Sequence, residues 1–541
     1  MSYFTIKRPI WLVPSNRVIE EYEKIDNFLQ ILDKSGVGEV IESVNLNIHK
    51  CKGRNSYNPF NMFAAIVFCF AFFKSSLRDI EDKCNFDFRV NYIMEGLTPN
   101  YSTIGDFIND YILPNQYLIF TTINKQIIKE LNLNIEDNYL DGTKIEADAN
   151  KYNFVWKPTA FHKKLNLKIQ EYLKSIDYDS VINKNEFVKY EELKNILTKY
   201  VIENVIDIAK IPMEKGKRKN IAQKNYILGK KYLNKLQEYE EKEMICGPKR
   251  NSYYKTDHDA TAMVLKEDYY SKLSNDFHAA YNVQVIVSNL LILMYGVYQN
   301  RNDYYTLIPM ANNYKKYYGF YPENLCADAG YGIYENYKFL KQHEIMNYVK
   351  FQQWEGETTG KKPQLFYTFF DGVLCLNTCI GENVPFDYLH HQRNKEGKLY
   401  KFIGCNNCGY AYKCKKLLKN KDLNYRYIEL VPQYELFKEE ARRNLCSPKG
   451  IEIRVNRSIQ VEGTFGEIKN NMNYDRIRRR GLERVECEFM LECLGVNIRR
   501  LFNSSSNNKF KENCWLEEDT LHKEILPSVK QKKKTIKKLT I

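Results

Sequence analysis

The chain lacks a long apolar run. Its most apolar segment, Met62 to Phe73, holds 12 residues before Lys74 interrupts it, whereas a membrane-crossing helix needs about 20. A buried core helix is expected there, and no membrane partner. The first residues, Met1-Ser-Tyr-Phe-Thr-Ile-Lys-Arg-Pro9, lack the apolar stretch of a secretory signal. A cytoplasmic location is therefore expected, with the 14 cysteines as reduced thiols rather than a disulfide framework. Internal repeats are absent, as is any acidic excess: 81 Lys and Arg face 67 Asp and Glu, a net charge of +14. That balance directs attention to polyanionic partners, nucleic acid or an anionic surface. A chain 44% hydrophobic and 27% charged is neither wholly disordered nor fibrous. Its 541 residues exceed one compact domain and suggest three or four at roughly 150 residues each. Lys, Asn, Ile and Tyr are common and have AT-rich codons. An AT-rich bacterial genome accounts for the 42 tyrosines without invoking a function.

Residues 1–130 read as helices. Val18, Ile19, Tyr22, Ile25, Phe28, Leu29 and Leu32 recur at helical spacing. Ser75-Ser76 and the Thr98-Pro-Asn100 turn are cap-like starts. Short helices with tight turns fit a helix-turn-helix DNA reader and a plain helical bundle equally well. From about 160 to 245 the chain is charged and helical, suggesting a solvated hairpin. Tyr281 to Val287 and Leu290 to Val297 read as a strand pair, with the turn at Ser288-Asn289. Tyr304 to Tyr317 reads as a helix, and Asn324 to Ala327 as a strand paired in parallel. Residues 350–445 read as irregular, Arg457–Lys469 and Cys487–Phe502 as helices.

Two acids, Asp141 and Asp328, each follow a short apolar strand and precede a glycine-bearing turn. Side chains at the carboxyl ends of strands in an α/β sheet face the ligand crevice, although an Asp closing a strand is also an ordinary turn residue. Glu462 lies on a helix whose apolar face is Val461, Phe465 and Ile468; Lys469, seven residues on, shares a different face with it. Three carboxylates from distant segments would form an oxygen-rich site for Mg²⁺ or Mn²⁺, the chemistry of metal-assisted phosphoryl transfer.

Asp141-Gly-Thr-Lys-Ile-Glu-Ala, Lys255-Thr-Asp-His-Asp-Ala-Thr-Ala-Met, Ala280-Tyr-Asn-Val-Gln284, Ala327-Asp-Ala-Gly-Tyr331 with Glu335-Asn336, and Arg457-Ser-Ile-Gln-Val-Glu-Gly-Thr-Phe-Gly-Glu-Ile-Lys469 occur in that order. Together with Pro99-Asn-Tyr-Ser-Thr-Ile-Gly-Asp-Phe107, the set resembles bacterial insertion-sequence transposases of the DDE class over about 15 to 505. The resemblance implies a ribonuclease H-like core, a mixed sheet with flanking helices of the α+β or α/β class. It assigns Asp141, Asp328 and Glu462 as catalytic metal ligands and Arg457 and Lys469 as DNA contacts. Arg457 stands five residues before Glu462, where the broader pattern has four.

The expected organisation is a helical DNA-binding domain (1–130) and a core split between 131–350 and 450–505. A charged helical insertion (160–250), a cysteine-bearing insertion (351–449) and a basic tail (506–541) complete it. Cys405-Asn-Asn-Cys408 with Cys414, and Cys375 or Cys379, would form a structural Zn²⁺ ribbon or remain free thiols. Arg476, Arg478, Arg479 and Arg480 follow the third acid and suit phosphate contact. The implied function is metal-dependent cutting of double-stranded DNA at an element's terminal inverted repeats and strand transfer into target DNA, by a dimer on DNA. The rivals are an inactive DNA-binding descendant and a nuclease without strand transfer.

Overall fold

The computed structural model describes residues 16–506, apart from 46–56, 74–75, 179–186, 212–217, 249, 266–275, 360–366, 371–372, 377–378, 387–391, 394–395, 405–406 and 408–424. The strands are β1 (Asp137–Glu146), β2 (Phe154–Trp156), β3 (Ser252–Tyr254), β4 (Thr261–Val264), β5 (Phe277–Ser288), β6 (Leu291–Tyr298), β7 (Asn324–Ala327), β8 (Met346–Val349), β9 (Tyr367–Phe370), β10 (Val373–Leu376), β11 (Cys379–Val384), β12 (Lys398–Ile403) and β13 (Tyr425–Leu430). The chain divides into two compact units. One comprises residues 1–144, 282–475 and 483–541; the other comprises 145–281 and 476–482.

In the first unit, the helix Pro59–Phe72 is the buried core helix its composition predicts: Met62 to Ala71 are all buried. Asn58 starts it, its side chain accepting from the Phe60 and Asn61 amides. Each buried Phe there contributes about 1.5–3 kcal/mol. No single helix among the described residues is long and apolar enough to cross a membrane. Ser76 caps Leu77–Phe86 and Asn100 caps Tyr101–Phe107, as expected.

The described helices between residues 16 and 131 lie in the same compact unit as the sheet. Asn124, on the helix Gln116–Leu131, donates to the Ile292 carbonyl at 2.9 Å. Asn497, on the C-terminal helix, donates to that carbonyl and accepts from the Ile292 amide, at 2.8 and 2.9 Å. These amides are fully buried, and each gains hydrogen bonds that offset desolvation. Tyr117 stacks between Tyr295 and Tyr317. Gly495 lies against the Phe70 backbone, where an added Cβ would meet the Phe70 carbonyl carbon at 2.8 Å.

The sheet of this unit runs β6-β5-β1-β7-β8, with β1, β7 and β8 parallel and β5-β6 antiparallel, so the fold class is mixed α/β as expected. The β5-β6 turn falls at Asn289-Leu290, both with positive φ, one residue later than the sequence suggested. Residues 350–445, read as irregular, instead contain an antiparallel sheet ordered β13-β12-β11-β10-β9, followed by a helix at Pro432–Cys446.

Among the described residues the second unit holds three α-helices, Thr159–Ser175, Tyr190–Glu203 and Ile221–Cys246, where a hairpin was expected. They share an apolar core that includes Ile169, Leu173, Leu193, Leu197 and Leu236. In a charged sequence the third helix is what lets such a core exclude water. In the same unit, β4 pairs with residues 277–280, the first part of β5.

Candidate active site

β1 and β7 pair in parallel from Asp137 with Asn324 to Tyr139 with Cys326, and Asp141 and Asp328 each lie two residues beyond the last pair. β7 ends at Ala327, and Asp328 caps the short turn that follows, its Oδ1 accepting from the Gly330 amide at 2.8 Å. Asp141 behaves otherwise. It was expected to close a strand, but β1 continues through it to Glu146, and Gly142 makes no turn. The glycine is there for space: a Cβ on Gly142 would lie 1.8 Å from Gln284 Nε2. Gly142 N donates to Asp141 Oδ1 at 2.9 Å.

Asn282 and Gln284 lie two residues apart on β5, on one face, and both are buried. Their side-chain amides donate to one oxygen, Asp303 Oδ1, each at 2.8 Å. The Tyr331 hydroxyl donates to Gln284 Oε1. Asn336 holds the Tyr331 segment by donating to the Tyr331 carbonyl at 2.8 Å and the Tyr304 carbonyl at 2.9 Å. Asn282, Gln284, Asp303, Tyr331 and Asn336 thus share one hydrogen-bonded network next to the Asp328 turn. Asp303 was not singled out from the sequence. The available signal was the pair of amides alternating within an otherwise apolar strand, since buried amides require an acceptor.

Glu462 comes from the helix beginning at Pro448. Its α-helical part ends at Arg457, and Ser458–Glu462 form a π-helical turn. A π turn inserts one residue and stacks i on i+5. The five-residue spacing from Arg457 to Glu462 is therefore one turn, equivalent to four residues in an α-helix. Val461, Phe465 and Ile468 are buried as predicted; Glu462 is exposed. Three side chains hold this helix in place. Gln460 Oε1 accepts from the Leu290 amide at 2.5 Å. Half-buried Arg500 donates to Thr464 and Glu467, each at 3.0 Å, and to the Leu290 carbonyl. Lys469 Nζ donates to Thr143 Oγ1 at 2.7 Å and the Lys144 carbonyl at 3.0 Å, just beyond Asp141 on β1.

Arg457 Nη2 lies 2.8 Å from Asp141 Oδ2. Burial pushes the Asp141 carboxyl up to about 6; Arg457 opposes this, and the like charges of Asp328 and Asp303 add to it. Burial also works against the Arg457 charge, but Asp141 and Asp328 outweigh it. Arg457 Nε is buried without a hydrogen-bond partner. A buried carboxylate with a guanidinium drawn onto it and a second aspartate nearby offers hard oxygen donors of the kind a divalent cation takes. Among the described residues no three of Asp, Glu, His and Cys are gathered tightly enough to hold an ion as they stand.

In the second unit, Asp148 pairs with both Arg476 and Arg480, at 3.3 and 2.8 Å. Arg478 is exposed and Arg479 half-buried. Cys375 lies on β10 and Cys379 on β11, where Leu376 pairs with Cys379. The other three cysteines of the zinc expectation, Cys405, Cys408 and Cys414, lie outside the described residues, as does the basic tail from 507.

Residues 379–502 match the family described as the transposase DDE domain. The chain is similar to DDE-class transposases. The matched stretch includes Arg457, Glu462 and Lys469 and leaves Asp141 and Asp328 outside it. No curated protein and no solved structure matches the chain. Transposase similarity supports a DNA-cutting enzyme, with DNA as the general class of partner.

Proposed function

We propose that the chain is a DNA transposase with a ribonuclease H-like core, and that Asp141, Asp328 and Glu462 hold Mg²⁺ or Mn²⁺. The observation that supports this reading is Asp141 within β1 and Asp328 just past the end of the parallel neighbour β7, with Arg457 against Asp141 at the end of the helix that leads into the Glu462 turn. A divalent cation held there would supply Lewis-acid chemistry for phosphoryl transfer. The chain's own residues do the rest. Arg457 and Lys469 set cations beside the phosphate, where negative charge develops. Gln460 and Arg500 fix the helix that presents Glu462. The Asn282-Gln284 amides fix the turn around Asp328. Water attacks the phosphorus at an element end, the 3′-oxygen departs, and the freed 3′-hydroxyl attacks target DNA. Double-stranded DNA at the terminal repeats and at the target is the partner, bound by a dimer. Cys405, Cys408 and Cys414, with Cys375 or Cys379, are assigned to a structural Zn²⁺, and the protein to the cytoplasm of a bacterium.

The test is a strand-transfer assay on DNA carrying the element's ends with Mg²⁺. Joined products expected from the wild type, and lost in Asp141→Asn, Asp328→Asn and Glu462→Gln variants that still bind DNA, support the reading. Cleavage without joining identifies a nuclease. Binding without cleavage identifies an inactive descendant.

A further inference from the structure

We propose that β2 and the start of the helix Thr159–Ser175 form a platform on which unpaired bases of a DNA strand stack; this rests on the DNA-partner reading above. Residues 149–170, between Asp148 and Glu171, hold five lysines and no acid. Aromatic residues are interleaved with them. Tyr152, Trp156 and Phe161 are 78%, 64% and 65% exposed. Phe154 and Trp156 lie two apart on β2 and so project from one face, their rings edge to face at 5.4 Å between centroids. Phe154 also meets buried Tyr254 on β3, which anchors the inner end of this stripe. Among the described residues β2 pairs with β3 and with no other strand. Two of the lysines serve the hairpin itself. Lys151 Nζ lies 2.8 Å from Asp276 Oδ2 and 5.5 Å from the centre of the Tyr152 ring. Lys157 Nζ donates to the Gly247 carbonyl at 2.8 Å. Lys163, Lys164 and Lys168 are exposed on the helix that follows. Phe161, Lys164 and Lys168 recur at helical spacing and share one face of it.

Large rings left in water on a strand are unfavourable, and a group of them marks a contact surface. The lysines decide what is contacted. Lysine is depleted in protein interfaces, and a second copy docked here about a two-fold axis would set these lysines against their own kind. An intact duplex offers phosphates and groove edges, while the faces of its bases are covered by their neighbours. Unpaired bases bare those faces, and their backbone carries the matching charge. Aromatic rings bordered by cations are the means by which a single strand is held without regard to sequence. A DNA end whose terminal pairs open around the cut supplies such bases. Arg480 extends the cationic border within the same unit, its Nε donating to the Asp148 carbonyl at 3.0 Å.

Binding of the full-length protein to two labelled probes, an oligothymidylate and a blunt duplex of equal length, tests this by fluorescence anisotropy. Trp156→Ala should bind the oligothymidylate about tenfold more weakly or worse. Its affinity for the duplex should stay within about twofold of wild type, because that binding runs through phosphates. Trp156→Phe should keep most of the affinity for the oligothymidylate, since any ring can stack. All three proteins should melt alike. On the unmutated protein, an oligonucleotide carrying 5-iodouracil should crosslink within residues 152–161 on near-ultraviolet irradiation. Equal oligothymidylate affinity in Trp156→Ala, an equal loss for both probes, or crosslinks confined to other segments would overturn the inference. So would a Trp156→Ala effect confined to self-association in light scattering, which would mark a contact between copies. A wild type that binds the duplex but not the oligothymidylate would overturn it and leave the DNA-partner reading standing. One that binds neither would overturn both.

Discussion

Arg457 and Asp141 form an ion pair, Nη2 to Oδ2 at 2.8 Å, with side chains only 11% and 17% exposed. The guanidinium therefore stands where a metal ion would seek the same carboxylate oxygen, and the two cations compete. Arg457→Gln should bind Mn²⁺ more tightly than the wild type at about pH 8, because the competing charge is gone. It should nevertheless cleave DNA more slowly, because the phosphate loses a cation. Calorimetric Mn²⁺ titration beside single-turnover cleavage rates checks both halves. Weaker Mn²⁺ binding would mean that Arg457 organises the site rather than competing for it.

Burial of Asp141, only partly offset by Arg457, sets a pH dependence for the metal-free protein. An acid whose native pKa is raised holds its proton more tightly when folded. Its contribution to stability is full below the ordinary value of 3.8 and is lost as pH rises through about 6. Wild type should therefore gain stability relative to Asp141→Asn as pH falls from about 7.5 to 4.5, by about 2–3 kcal/mol at most. Urea melts of both proteins in chelator across that range give the difference directly. A difference that does not vary with pH would place Asp141 in contact with water.

Gly142 and Gln284 are matched in shape. Gln284 cannot swing aside, since it donates to Asp303 and to Asn282 Oδ1 and accepts from Tyr331. Gly142→Ala should cost about 1–3 kcal/mol. Adding Gln284→Ala should recover part of that loss but weaken Mn²⁺ binding, because the Tyr331 segment beside Asp328 then loses its hydrogen bond to Gln284. Denaturant midpoints and Mn²⁺ titrations of the single and double variants separate packing from site assembly.

Which features were legible in the sequence depended on how local their causes were. The burial of Met62 to Ala71, the caps at Ser76 and Asn100, and the apolar face of Val461, Phe465 and Ile468 follow from residues within a few turns of one another. Gly142 was read as a turn because its true partner, Gln284, is 142 residues away. Asp303 was missed for the same reason: nothing beside it says that two amides of β5 converge on it. The offset between Arg457 and Glu462 looked like a departure from pattern only under an α-helical period. The sheet β9–β13 escaped because strands of four to six residues with scattered Cys and Gly show little alternation.

Asp148 decides what the arginine run can do. It pairs with Arg476 and with Arg480, whose side chains are 25% and 54% exposed. In free protein, part of the basic charge of 476–480 is thus neutralised within its own unit. If Arg476 and Arg480 exchange Asp148 for phosphate on binding, removing the acid should strengthen binding, because no internal pair has to break. Each additional phosphate contact steepens the log-log salt dependence by about 0.9. Asp148→Asn is expected to bind DNA of many sequences more tightly at low salt, with a steeper slope and unchanged base preference. Pairs this exposed contribute only about 0.2–1 kcal/mol each, so the loss of stability should be small. Arg478→Ala should move the slope the other way. Fluorescence anisotropy titrations across a salt series give both slopes. A slope unchanged in Asp148→Asn, with one reduced in Arg478→Ala, would assign Arg476 and Arg480 to the fold and leave phosphate contact to their neighbours.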